Sequence, residues 1–135
     1  MKYMLDANIC IYLMNECPKH YYKKLALLEE QQHQVGISAI VHSELQYGVA
    51  ASNQQTQNQL KLAVLLSHLT VFPYTEACSF YYGQLRAELK NRGCLIGAND
   101  LFIAAHALAE QAILVTNNTR EFNRIAELQL ENWPR

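Results

Sequence analysis

Short apolar segments alternate with longer amphipathic segments along the chain, and this alternation is the feature that most constrains the fold. The predicted strands cover residues 2–5, 34–37, 69–72, 112–116 and 128–130. One or two predicted helices separate each strand from the next, as the crossover between parallel strands requires. We therefore predict an α/β fold in which a central parallel sheet of about five strands is flanked by helices on both faces.

The helix boundaries follow from capping residues and apolar periodicity. The predicted helices cover residues 9–15, 20–32, a segment after residue 38, 56–67, 76–92, 99–111 and 120–125. Asn8 is predicted to cap the first helix and Ser38 the third, because short polar side chains accept hydrogen bonds from free backbone amides. Gly93 is predicted to end the fifth helix.

Length and composition limit the functional class. The chain has 135 residues, of which 50% are hydrophobic and 17% charged, so we expect one domain over residues 1–135 with a proper core. No apolar run is long enough to span a membrane. The four cysteines lack C-x-x-C spacing, so neither a zinc knuckle nor a thioredoxin-like pair is indicated. Asp6 and Asn8 interrupt the first apolar segment, so we interpret it as mature structure rather than a secretory signal, and we expect reduced thiols and a cytoplasmic location. A formal charge of −1 excludes nucleic-acid binding by bulk electrostatics alone, so such a ligand would need a local basic patch.

Three acidic residues stand at unusual positions. The chain contains only two aspartates, and Asp6 directly follows the first strand, where an acid can serve chemistry or simply cap a helix. Glu44 shares a helical stripe with apolar residues, although it could also lie at the stripe's edge. Asp100 begins a helix that is apolar almost all round, so it is predicted to enter the interior at the helix's positive end, where an acid also complements the helix dipole.

Thr116, Asn117 and Asn118 follow the fourth strand, either as plain turn residues or as part of a polar site. A parallel sheet would bring them together with the three acids. Carboxylates a few ångströms apart repel one another, and a divalent cation relieves this repulsion. All-oxygen ligation favours Mg²⁺ or Mn²⁺, which lower the pKa of a bound water and stabilise charge developing on a phosphate.

Four segments, in order, resemble motifs of PIN-domain ribonucleases. They are MLDANI at 4–9, SELQYG at 43–48, IGANDLFIAAHA at 96–107 and LVTNNTREF at 114–122. The length and the last segment are most similar to VapC toxins of type II toxin–antitoxin modules. The resemblance covers essentially the whole chain and implies a PIN fold with Mg²⁺- or Mn²⁺-dependent endoribonuclease activity, often on a structured RNA such as a tRNA.

The resemblance also assigns roles to particular residues. It implies that Asp6 and Asp100 are the principal metal ligands, that Glu44 ligates directly or through water, and that Asn118 completes the catalytic set. Because Asn118 stands where many members have Asp, we expect one firm metal site and a weaker second one. Ala7 replaces the usual threonine, which removes a hydrogen bond worth about 0.5–1.5 kcal/mol and predicts a perturbed site.

Substrate contacts and partners complete this prediction. The candidate substrate-binding residues are Asn8, Thr116, Arg86, Lys90 and Arg120. Four tyrosines are candidates for stacking on RNA bases, although most tyrosines at helical spacing belong to a core or an interface: Tyr81, Tyr82, Tyr74 and Tyr47. The resemblance implies a VapB-like antitoxin and a homodimer, or a heteromer with the antitoxin.

Two other functions compete with the nuclease. A catalytically weakened PIN domain would serve only as an antitoxin-binding module, and Ala7 is the sequence feature in its favour. A receiver-like phosphotransferase would need a second acid beside Asp6, but position 8 is Asn.

Overall fold

All five strands of the central sheet run parallel in the computed structural model, which describes residues 1–135. The strands are β1 (Lys2–Leu5), β2 (Gln34–Ser38), β3 (Thr70–Phe72), β4 (Ile113–Val115) and β5 (Leu130–Glu131). Their order across the sheet is β3-β2-β1-β4-β5. The predicted fold class is confirmed. β1 pairs with β2 on one side and with β4 on the other, so the direction of the strand order reverses between β1 and β4. Open α/β sheets bind their ligands at such a reversal.

The helices lie within two or three residues of their predicted bounds. They are α1 (Ala7–Met14), α2 (His20–Glu30), α3 (Ala39–Ala50), α4 (Gln55–Leu66), α5 (Glu76–Asn91), α6 (Ala98–Glu110) and α7 (Thr119–Phe122). None of them is both long and apolar enough to cross a bilayer.

One predicted cap is wrong. Asn8 lies inside the first turn of α1, and Asp6 caps this helix instead, with its carboxylate accepting a hydrogen bond from the amide of Ala7. Asp6 has the extended backbone that a cap requires, which lets the helix begin directly after it. The predicted cap at Ser38 is confirmed, since its hydroxyl accepts from the amide of Ile40.

Helix α6 crosses the core from one edge of the sheet to the other. Its buried side chains include His106, whose Nδ1 lies 2.7 Å from the Ser38 hydroxyl at the start of α3. Burial lowers the pKa of His106, which favours the neutral form of the ring. At its far end, Glu110 pairs with Lys2 at 2.8 Å, at the start of β1. Helix α6 therefore begins at the carboxyl edge of the sheet and ends at the amino edge.

The backbone of Gly36 is packed so closely in β2 that a side chain does not fit. A Cβ atom there would lie 2.1 Å from the carbonyl oxygen of Thr70 and 2.6 Å from the ring of Phe72. We predict that Gly36→Ala lowers the free energy of unfolding by about 3 kcal/mol or prevents folding, because the strands would have to separate.

Gly83 provides the matched control, since a Cβ on this residue of α5 meets no atom within 4 Å. Gly83→Ala should stabilise the chain by about 0.5–1 kcal/mol, as expected for alanine within a helix. Denaturant unfolding measures both variants, and equal effects of the same sign would contradict this account of β2.

Candidate active site

Two strand ends form the floor of the candidate site. Asp6 follows β1, and its backbone amide donates to the carbonyl of Val115 at the end of β4, at 2.9 Å. Thr116 and Asn118 continue from β4, so the turn after this strand lies beside Asp6. The convergence predicted for these residues follows from the reversal of strand order between β1 and β4.

The Asp6 carboxylate is buried and held at both oxygens. The amide of Ala7 donates to Oδ1 at 2.8 Å, and the hydroxyl of Thr116 donates to Oδ2 at 2.8 Å. Only 6% of Asp6 is exposed. Burial raises the pKa of Asp6, and the hydrogen bonds from Thr116 and Ala7 offset part of this increase. The structure thus fixes the orientation of this carboxylate while leaving its charge poorly solvated.

Asp100 lies in the first turn of α6, within a second group of polar side chains. The amide of Asn118 donates to Asp100 Oδ2 at 3.4 Å and lies 3.5 Å from Glu121 Oε2. The pKa of Asp100 is raised to about 7. Burial is the largest cause, followed by the neighbouring carboxyl of Glu121 and the charges of Asp6 and Glu44. The amide of Asn118 thus lies between the carboxyls of Asp100 and Glu121, and this crowding disfavours a negative charge on Asp100.

Glu44 reaches the same region from α3. Its neighbours on the predicted stripe, Val41 and Leu45, are buried, and Glu44 itself is half-buried. Its Oε1 atom is buried without a hydrogen-bond partner. Burial raises the pKa of Glu44, and the charge of Asp6 adds to the effect. An orphaned carboxylate oxygen in such a place requires compensation by a proton or a cation.

The three predicted acids therefore share one electrostatic environment, although they lie far apart along the chain. The charge of Asp6 raises the pKa of both Glu44 and Asp100, and the charge of Glu44 raises the pKa of Asp100. Asp6 and Glu44 also raise the pKa of the buried Cys10 thiol, after the larger effect of its burial. The acids repel one another, so an added positive charge would be stabilised among them.

The chemistry of these donors fits a hard divalent cation. No three His, Cys, Asp or Glu side chains are grouped closely enough to hold an ion by themselves. Mg²⁺, however, keeps several waters and needs only one or two carboxylates from the protein. The orphaned oxygen of Glu44 and the carboxyl of Asp100 are available oxygen donors of this type.

The other predicted site residues divide into two groups. Thr116 is fully buried, and its hydroxyl donates to Asp6, so it holds an acid in place. Asn8 is exposed in the first turn of α1, and Arg120 is exposed on α7, two residues after Asn118. Arg86 and Lys90 are exposed in the last two turns of α5, and Arg86 donates to the hydroxyl of Tyr82.

Glu121 is a member of the site that the sequence analysis missed. Its carboxyl contacts both Asn118 and Asp100. The spacing contained a signal, because Glu121 stands three residues after Asn118 and residues at that spacing share one side of a helical turn. This helix has only four residues, too few for a periodic pattern to be recognised.

Comparisons with known proteins agree with this geometry. The pattern that defines the PIN domain matches residues 3–128. A "Ribonuclease VapC2" of Rickettsia felis is 53% identical over 133 residues, covering 98% of each chain. A "tRNA(fMet)-specific endonuclease VapC" of Shigella flexneri is 37% identical with the same coverage. The structure of VapBC2 from Rickettsia felis bound to a promoter DNA fragment contains a chain that superposes with a TM-score of 0.95 at 52% identity, covering 99% of this chain and 100% of that one.

The raised pKa of Asp100 gives a prediction about stability in EDTA. Between about pH 4 and pH 7 the folded chain holds a proton on Asp100 that the unfolded chain has released, so this residue makes stability fall as the pH rises. Asp100→Asn removes the effect. Allowing for solvent screening, we expect the variant to be about 1 kcal/mol more stable at pH 8, or about 3 °C in Tm, with a smaller gain at pH 5.

Thermal unfolding at the two pH values tests this prediction. Glu127→Gln is the control, because Glu127 is exposed and lies near Gln129 and Ala112 at the opposite edge of the sheet. The Tm of this variant should equal that of the unmodified chain at both pH values. A variant Asp100→Asn that is less stable at pH 8 would show that the acids do not repel one another in the folded chain.

Proposed function

The chain belongs to the VapC branch of the PIN-domain family, and from this premise we propose that it is a metal-dependent endoribonuclease, the toxin of a toxin–antitoxin pair. The observation that carries the proposal is the convergence of Asp6, Glu44 and Asp100 at the reversal of strand order. The charge of Asp6 raises the pKa of both Glu44 and Asp100, and the charge of Glu44 raises that of Asp100. The names of the VapC relatives support the same activity.

Asp6, Asp100 and Glu44 would hold a Mg²⁺ or Mn²⁺ ion, Glu44 directly or through water. A bound ion of this kind supplies an activated water and stabilises negative charge on the phosphate. The chain's own residues prepare the ligands. Thr116 and the Ala7 amide keep Asp6 in one orientation, and Asn118 holds the carboxyls of Asp100 and Glu121 side by side. Asp100, whose pKa is raised to about 7, would release its proton when the ion binds.

The proposed substrate is RNA, and a tRNA is supported by the names of relatives such as that of Shigella flexneri. Exposed polar and basic residues near the acids would bind its backbone. Asn8 and Arg120 follow the ends of β1 and β4, and Arg86 and Lys90 lie near the end of α5, which the 92–97 turn joins to the start of α6. Local positive charge of this kind can attract a phosphate backbone although the net charge is −1.

The proposed partner is a VapB-like antitoxin. The similar chains from Rickettsia felis, Haemophilus influenzae and Salmonella typhimurium were solved as VapBC complexes. We further propose a homodimer or a heteromer with the antitoxin, and a cytoplasmic location. The weakened binding module suggested by Ala7 gains no support, because Thr116, directly after β4, gives the Asp6 carboxylate a hydroxyl donor.

Removing either principal acid, or the ion, should abolish cleavage. We predict that Asp6→Asn and Asp100→Asn each lower the rate of RNA cleavage with Mn²⁺ by at least about 100-fold, because each removes a carboxylate from the ion. EDTA should have the same effect on the unmodified chain, and added Mn²⁺ should restore activity.

Glu127→Gln again provides the control and should cleave at the normal rate. Thermal unfolding checks that both aspartate variants remain folded. Cleavage at the normal rate by a folded Asp6→Asn variant, or in EDTA, would refute the proposal.

Arg120 should contribute to substrate binding rather than to chemistry. We predict that Arg120→Ala raises KM about 3- to 10-fold with little change in kcat. The plot of the logarithm of the binding constant against the logarithm of the salt concentration should also become less steep by about 0.7, which is the slope expected for one phosphate contact on a single strand. Lys2→Ala removes a positive charge at the opposite edge of the sheet and should leave both quantities unchanged. An effect on kcat alone would contradict this assignment.

A further inference from the structure

A cleft lies between α3 and α6 and opens beside the acids. It has a volume of about 570 Å³, within the range of sites that bind small organic groups. Its lining consists of Ile40, Ser43, Glu44, Tyr47, Asn99 and Phe102. Glu44 lines this cleft and belongs to the acidic site, and Asn99 directly precedes Asp100. The α3–α6 cleft therefore adjoins the acidic site through Glu44 and Asn99.

Two aromatic rings of the cleft differ in how they are supported. Phe102 is packed from behind, since Tyr82 stacks on it at 4.3 Å between ring centroids and Tyr74 meets its edge at 5.7 Å. Tyr47, by contrast, is 74% exposed and takes part in no aromatic pair. It stands three residues after Glu44, on the same side of α3. The chain thus keeps a large unpaired aromatic side chain in solvent beside its acids.

Polar groups with free hydrogen-bonding capacity complete the lining. Asn99 is exposed, and its amide makes no hydrogen bond within the chain, so it offers both donors and an acceptor. Ser43 donates its hydroxyl proton to the carbonyl of Ala39 at 3.0 Å, which leaves its oxygen free to accept. A flat ring that carries donors and acceptors on its edge matches this combination.

We propose that the α3–α6 cleft binds the base of an unpaired RNA nucleotide next to the scissile phosphate, with Tyr47 stacking on the base and Asn99 contacting its edge. This inference rests on the proposed ribonuclease function. Unpaired bases bind proteins by stacking on aromatic rings and by hydrogen bonds from their edges. The Glu44 carboxylate in the wall disfavours a phosphate group in this cleft, so the uncharged base enters it and the phosphate remains at the acids.

Binding can be tested apart from cleavage. The full chain in EDTA is titrated into a single-stranded RNA of about twelve nucleotides that carries 2-aminopurine, a base whose fluorescence is quenched by stacking. We expect quenching on binding, and about tenfold weaker affinity with less quenching for Tyr47→Ala. Tyr47→Phe should keep the normal affinity and quenching, since stacking does not require the hydroxyl. Asn99→Ala should weaken affinity and leave most of the quenching.

Tyr81→Ala is the matched control. Tyr81 is also an exposed tyrosine, but it lines a cleft with Met1 and Ala112 at the amino edge of the sheet. This variant should bind and quench like the unmodified chain. The inference is overturned if Tyr47→Ala matches Tyr81→Ala, or if the RNA does not bind. Absence of RNA binding is the result expected if the cleft holds only a side chain of a protein partner.

A cleavage assay with Mn²⁺ separates this inference from the proposed function. Tyr47→Ala should raise KM about tenfold and leave kcat nearly unchanged, because it removes binding rather than chemistry. If the chain cleaves RNA but Tyr47→Ala has a normal KM, the base site is wrong and the nuclease remains. If the RNA binds and quenches through Tyr47 but no cleavage occurs with Mn²⁺, the nuclease proposal fails and the base site remains.

Discussion

The burial of the Asp6 carboxylate at the reversal of strand order is the constraint on which the rest of the site depends. β1 brings this residue to the carboxyl edge between two neighbouring strands, and its backbone amide is bonded to β4. A charge in such a place needs polar support, which Ala7 and Thr116 provide at one oxygen each. The charge of Asp6 raises the pKa of Glu44 and Asp100, which belong to helices from separate segments of the chain.

This arrangement destabilises the chain locally in order to create a binding site. Carboxyls that would be fully solvated on a surface are here partly desolvated and close to one another, and the core must offset the difference. Helix α6 helps by packing its alanine-rich face against the sheet and by offering its positive end to Asp100. The bond between His106 and Ser38 joins α6 to the start of α3, so the helices that carry Asp100 and Glu44 are connected through the core.

The order of elements was predictable because the chain alternates its hydrophobic pattern clearly. The acids could be placed at strand ends and helix starts for the same reason. The cap of α1 was not predictable, since Asp6 and Asn8 are equally suited to capping and only the backbone decides between them. The positions at strand ends predict that Thr116 lies near Asp6, but the hydrogen bond between them was not predictable, because it depends on the orientation of both side chains. Glu121 and the exposure of Tyr47 depend on packing between elements, on which periodicity carries no information.

The most direct test of the convergence of the acids is an NMR titration of the aspartate side-chain carboxyls in EDTA. The chain has only two aspartates, so selective ¹³C labelling gives two carboxyl signals, and the Asp6→Asn variant identifies the one from Asp100. We predict an apparent pKa of about 7 for Asp100, and a lower value when Asp6→Asn removes the neighbouring charge. Titration of Asp100 near 4, unchanged in the variant, would contradict a shared acidic pocket.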